Sequence, residues 1–212
     1  MILYTEDSSP WCAPVRAAIY AKGLDIEMRA PPGGFGSEAY RALSGTGTIP
    51  CLVLEDGSPL PESAVIVGYL DEAFAATPLR PADAEGRARV ALLLRLAEGG
   101  AMTPLVQFFH DMSAGDPKAG VTAVERLGKG LAKLERFVAD EGYAAGAAFS
   151  QVDCFLAVAL FAVQALGPMI GAPALLAGYP KLGAYFGRAS QHAAIAKVLA
   201  ETAAALAASG VG

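Results

Sequence analysis

The sequence predicts an α/β domain of order βαβ-α-ββα at residues 1–76, a linker at 77–85, and an all-helical domain at 86–212. Three observations carry this prediction. Short apolar runs alternate with helical segments over the first third of the chain, two prolines break the pattern at Thr77-Pro78-Leu79-Arg80-Pro81, and all that follows has helical spacing.

Ile2 to Thr5 reads as a strand and Pro14 to Lys22 as a helix ended by Gly23, whose missing Cβ suits a left-handed C′ position. Ile26 to Arg29 returns as a second strand, and a βαβ unit of this length implies a parallel pair. After Pro31-Pro32-Gly33-Gly34, Ser37 caps a short helix to about Leu43. Cys51 to Glu55 and Pro59-Leu60 form a hairpin around Asp56-Gly57, and a helix runs from Ser63 to about Phe74. This order is thioredoxin-like.

In the second domain, Arg87 to about Met112 is expected as one helix kinked at Pro104, followed by Ala123 to Glu141. Ser150-Gln151-Val152-Asp153 reads as a capping box opening a third helix. Lys181 to Ala189 and His192 to Ala208 are the last two. The longest apolar run, Cys154 to Val163, covers about half of a ~30 Å hydrocarbon core, so it is a buried core helix rather than a membrane span.

The 212 residues are 54% hydrophobic with a net charge of -5, and no lysine or arginine cluster suggests counterion-release binding. Nucleic acid and membrane partners are therefore not expected. Cys12, Cys51 and Cys154 are odd in number and widely spaced, and with only His110 and His192 beside them no metal centre is expected. The start of the chain reaches Glu6-Asp7 at once, unlike a signal peptide, so the expected location is cytoplasmic.

Three elements of the first domain carry chemistry. Ser9-Pro10-Trp11-Cys12 stands before a helix, as a Cys-x-x-Cys loop does, but with a hydroxyl in place of the attacking thiol. Ile49-Pro50 precedes a strand, where a cis bond would turn the Ile49 backbone outward. Glu62-Ser63 opens a helix, where carboxylate, hydroxyl and free amides suit both an ammonium and a carboxylate. Taken singly, Ser9 reads as a turn or cap residue and Glu62-Ser63 as an acidic first turn.

Together, Ser9-Pro10-Trp11-x-x-x-Val15-Arg16, Ile49-Pro50-Cys51-Leu52, Glu62-Ser63-x-x-Ile66-x-x-Tyr69-Leu70 and the Ser150-x-x-Asp153 box resemble the cytosolic glutathione S-transferase superfamily over the whole chain. Within it, the loop is similar to the serine-type loop of zeta-, tau- and omega-like bacterial members. The resemblance implies that glutathione is the co-substrate, with no metal. It implies that Ser9 hydrogen-bonds the glutathione sulfur, that Ile49, before Pro50, pairs its backbone with the cysteinyl part, and that Glu62 and Ser63 hold the γ-glutamyl end.

The same resemblance implies that Trp11, Phe108 and His110 line a subsite for a small apolar electrophile, aromatic ones included, and that the protein is a detoxifying homodimer. Ordinary packing remains an equal reading of Phe108 and His110. Cys12 is either a secondary thiol or an inert buried one, and Tyr4 belongs to the first strand. Thr48 departs from the family, which often places a basic or amide residue there against the glycyl carboxylate. Isomerisation, dehalogenation, ether cleavage and non-catalytic binding stay open beside transfer.

Overall fold

A computed structural model describes residues 1–209. These fall into two compact units, one holding Met1–Leu79 together with the chain from Ala196, the other Arg80–Ile195.

In the first unit, β1 (Ile2–Tyr4), α1 (Ala13–Lys22), β2 (Glu27–Arg29), α2 (Glu38–Ser44), β3 (Cys51–Val53), β4 (Pro59–Pro61) and α3 (Ser63–Ala73) follow the expected order. The sheet order is β2-β1-β3-β4, with β1 parallel to β2 and the other pairs antiparallel. Local chemistry sets the ends of the helices. Gly23 adopts φ 64° after α1, and the Ser37 hydroxyl accepts the Tyr40 amide at 3.1 Å to start α2. Lys22 donates to Asp71 at 3.1 Å and to the Thr77 carbonyl at 2.5 Å, while Asp71 also accepts the Leu79 amide at 2.6 Å. This buried pair fastens the end of α3 and the following chain to α1.

The second unit contains α4 (Ala84–Ala97), α5 (Thr103–Ser113), α6 (Ala119–Phe137), α7 (Gln151–Leu166) and α8 (Pro180–Ala189), with a short 3-10 turn at Leu175–Gly178. The last helix, α9 (Ala193–Ala208), starts here and runs on into the first unit, whereas the sequence division had kept 86–212 together. No helix among the described residues is long and apolar enough to cross a membrane.

Two helices differ from expectation, each for a visible reason. Pro104 does not kink a continuous helix at its own position. Instead the chain widens into a π turn at Glu98–Met102, and Pro104 sits in the first turn of α5, where an amide donor is not needed. A proline ring clashes with the carbonyl four residues back, here Gly100, and the widened turn makes that room. At this point α6 crosses closely: a Cβ on Gly100 would lie 2.9 Å from the Gly130 Cα. The α6 helix also begins four residues earlier than expected, with Asp116 accepting the Lys118 amide at 2.9 Å, and ends where Val138 turns extended at ψ 140°.

Candidate active site

Strand register brings the three chemical elements to one end of the sheet. Tyr4, the last residue of β1, pairs with Cys51, the first of β3, and Cys51 pairs with Pro61, the last of β4. The chain after Tyr4, the chain before Cys51 and the chain after Pro61 therefore all leave the sheet on the same side. Ser9, Ile49-Pro50 and Glu62-Ser63 lie on those three segments. Tyr4 itself packs in the core against Tyr40, ring centroids 5.7 Å apart.

The Ser9 amide donates to the Glu6 carbonyl at 3.2 Å, and the Cys12 amide points back at both the Ser9 carbonyl (3.2 Å) and the Ser9 Oγ (3.3 Å). The hydroxyl thus accepts from the backbone, which leaves its own proton to donate. Trp11 is half-buried on the same loop. Cys12 is wholly buried, and burial pushes its thiol up despite the Ser9 hydroxyl beside it. A raised, enclosed thiol is a poorer nucleophile than a free one.

The Ile49-Pro50 bond is cis, with Pro50 buried and Ile49 half-buried. Thr48 is exposed; its hydroxyl lies 2.9 Å from that of Thr46, and its carbonyl accepts the Tyr40 hydroxyl at 3.0 Å. The side chain of Arg41 on α2 runs past Gly47, where an added Cβ would meet Arg41 Cγ at 2.6 Å, so only glycine leaves space for it. Arg41 is exposed and has no carboxylate partner among the described residues. Sequence reading missed this cation because nothing local ties it to Thr48.

Glu62 has φ 74° and ψ 115°, the one positive φ among the described residues that is not on a glycine. A side chain in that region is costly, on the order of 1–3 kcal/mol, and such strain clusters where function requires it. No side chain caps the first turn of α3, so its leading amides and the positive end of the helix face outward beside an exposed carboxylate, with Ser63 buried at the first position.

Of the residues expected to bind an electrophile in the helical domain, Phe108 is buried, its ring centroid 5.4 Å from that of Phe109, and His110 is exposed. Two residues apart on a helix, they face roughly opposite ways. No group of three metal-ligating side chains occurs among the described residues.

Family models decide what this arrangement belongs to. Residues 3–78 match the glutathione S-transferase N-terminal domain and residues 84–188 the glutathione S-transferase C-terminal domain. The chain belongs to the glutathione S-transferase family. This transferase-family chain is 32% identical to a stringent starvation protein A homologue of Coxiella burnetii, over 79% of this chain and 78% of that one. It is 30% identical to a maleylacetoacetate isomerase of Pseudomonas aeruginosa, over 81% and 85% of the two chains. Among solved structures, a sphingomonad glutathione S-transferase complexed with glutathione superposes with a TM-score of 0.77 at 27% identity, covering 95% of this chain and 98% of that one. The family's co-substrate is glutathione.

Proposed function

We propose that this protein is a cytoplasmic, homodimeric glutathione-dependent enzyme that directs the glutathione thiolate at a small apolar electrophile. The observation that carries the reading is the Ser9 hydroxyl, whose oxygen accepts the Cys12 amide and which keeps a proton to donate, at the sheet end shared with Ile49-Pro50 and Glu62-Ser63. Ser9 donates that proton to the sulfur. The Ile49 backbone, ahead of the cis Pro50, pairs with the cysteinyl part. The γ-glutamyl carboxylate sits at the uncapped start of α3 with Ser63, and Glu62 holds the ammonium. Arg41 supplies the cation for the glycyl carboxylate that Thr48 lacks, and Trp11 borders the electrophile.

Activation alone is a small part of the rate. A thiol of pKa about 8.5 is ~3% ionised at pH 7, and lowering it by two units gives ~75%. The weaker basicity cancels roughly eightfold of that gain, leaving about threefold. Orientation of the thiolate against the electrophile supplies the rest.

Conjugation of 1-chloro-2,4-dinitrobenzene by wild type and Ser9→Ala tests the role of Ser9: equal rates in the two refute it. Calorimetry with millimolar glutathione tests the whole reading, since an absence of binding removes it. The likeness to a maleylacetoacetate isomerase favours a second outcome at the same site, in which the thiolate adds to an unsaturated diketo acid, a single bond rotates and the thiolate leaves. Turnover of such a cis-alkene without consumption of glutathione separates isomerisation from transfer.

A further inference from the structure

Arg16 lies in the first half of α1 between Val15 and Ala17, with its side chain 1% exposed. Its guanidinium makes four polar contacts. One terminal nitrogen reaches Asp7 Oδ1 at 2.7 Å and Glu201 Oε2 at 2.6 Å; the other donates to the Asp7 carbonyl at 2.9 Å and the Thr202 hydroxyl at 3.3 Å. Glu201 is held in turn by the Tyr20 hydroxyl at 3.0 Å, and Lys197 stands 3.8 Å above the Tyr20 ring. Burial and the Glu201 carboxylate push Tyr20 up to about 12, so it remains a donor.

This arrangement is poorly explained by stability. A buried charge costs several kcal/mol of desolvation, and an apolar side chain of similar size often stabilises as much. Here the cost is not fully met, because Arg16 Nε is buried without a partner. Arg16 does, however, reach Glu201, 185 residues further along the chain, while it also holds the loop that carries Ser9. It grips that loop at Asp7 by side chain and backbone together, two residues before Ser9. The carboxylates of Asp7 and Glu201 offset the cations of Arg16 and Lys197, so the cluster has no net positive charge with which to favour a thiolate by its field.

We propose that Arg16 is the positioning residue of the Ser9 loop, tying it to Glu201 and Thr202 of α9 and so setting the place from which the Ser9 hydroxyl meets the glutathione sulfur. This rests on the reading of Ser9 given under Proposed function. It adds that thiolate formation depends on the last helix of the chain.

The test uses Arg16→Lys and Glu201→Ala. Lysine keeps the charge, but one ammonium does not span Asp7, Glu201 and Thr202. Glu201 is partly exposed, so its removal is tolerated even where a change at Arg16 prevents folding. The thiolate absorbance of bound glutathione is titrated against pH in the complex without electrophile, and kcat and KM are measured beside it. In both variants the midpoint rises by about one unit, kcat below the midpoint falls about threefold, and KM for glutathione stays within about twofold.

The direction in Glu201→Ala is decisive, because loss of a negative charge alone would lower the midpoint. An unmoved or lowered midpoint in the folded variants, with only the melting temperature reduced, overturns the proposal and leaves Arg16 a structural residue. If Ser9→Ala raises the midpoint while these variants do not, this inference fails and the reading of Ser9 stands. If wild type does not bind glutathione, both fall.

Discussion

Replacing Asp153 with alanine removes the acceptor for four donors at once. Its Oδ1 takes the Ala144 amide at 2.8 Å and the Tyr185 hydroxyl at 3.0 Å, and its Oδ2 takes the Ser150 amide at 2.7 Å and the Ser150 hydroxyl at 2.9 Å. Asp153 and Tyr185 are both wholly buried. Burial pushes the Asp153 carboxyl up while these four donors pull it back, and Tyr185 is held far above its ordinary value by burial and by the same carboxylate. In Asp153→Ala the Ser150 hydroxyl can rotate, but two backbone amides and the Tyr185 hydroxyl lose their partner, at about 1–3 kcal/mol each before relaxation and relief of the buried charge. A net loss of about 4 kcal/mol is expected. For 212 residues this lowers the melting temperature by about 9 °C. Asparagine keeps a carbonyl for Ala144 and Tyr185 but turns its amide on the Ser150 donors, so Asp153→Asn loses about half as much. Thermal and denaturant unfolding by circular dichroism measure both, and hydrogen exchange follows the Ala144 and Ser150 amides. The reasoning is refuted if Asp153→Ala stays within about 1 kcal/mol of wild type, or if asparagine is no better than alanine. A cycle with Tyr185→Phe sharpens the test: the change destabilises wild type by about 1–2 kcal/mol, yet is neutral or stabilising in Asp153→Ala, where it deletes an orphaned hydroxyl.

Three further outcomes follow from the same geometry. His192 stacks on Phe149 at 4.0 Å, and its Nδ1 accepts the Ala194 amide at 3.3 Å at the start of α9. Burial lowers its pKa more than Asp153 raises it, so the folded state favours the neutral ring. The stability this gives is present above the ordinary value near 6.5 and is lost as pH falls below it; denaturant midpoints between pH 7.5 and 5 should show that loss, and His192→Phe should flatten it at a cost of about 1 kcal/mol. Glu62→Gly relieves a positive φ, so its melting temperature should rise while calorimetry shows glutathione binding at least about tenfold weaker; a fall in both would mean the backbone there is not strained. Because Cys12, Cys51 and Cys154 are all buried, a colorimetric thiol reagent at pH 7.5 should titrate none of them before unfolding, and fast reaction of one thiol, lost in Cys12→Ser, would restore Cys12 as a secondary nucleophile.

What the sequence made legible shares one property: the physics is local. Gly23, Ser37 and the Ser150-Asp153 pair act within four residues, and each stands where expected. The Asp56-Gly57 turn likewise set the β3–β4 hairpin, and with it the register that pairs Cys51 with Pro61, the residue before Glu62. Errors appeared where a distant partner decides. The π turn before Pro104 depends on where α6 crosses at Gly130, and α6 itself ends at Val138 without a glycine or proline to mark the stop. For Phe108, which is buried, a helix pattern leaves packing and ligand contact equally open.

The candidate site divides in the same way. Ser9, Ile49-Pro50 and Glu62-Ser63 are backbone devices of short loops and a helix start, so their spacing survives in one dimension. Arg16 offered a different kind of signal, since a cation set among Pro14, Val15, Ala17, Ala18 and Ile19 has no polar face to snorkel along and requires a carboxylate. The requirement can be read from α1 alone. Its answer cannot, because any of 21 acidic residues satisfies it equally on paper, and the one chosen across the chain, Glu201, sits on a helix whose composition is otherwise mostly alanine. Folding resolves that choice by bringing α9 from Ala196 onward back to the first unit, and this return puts the last helix in contact with the same arginine that meets Asp7, two residues before Ser9.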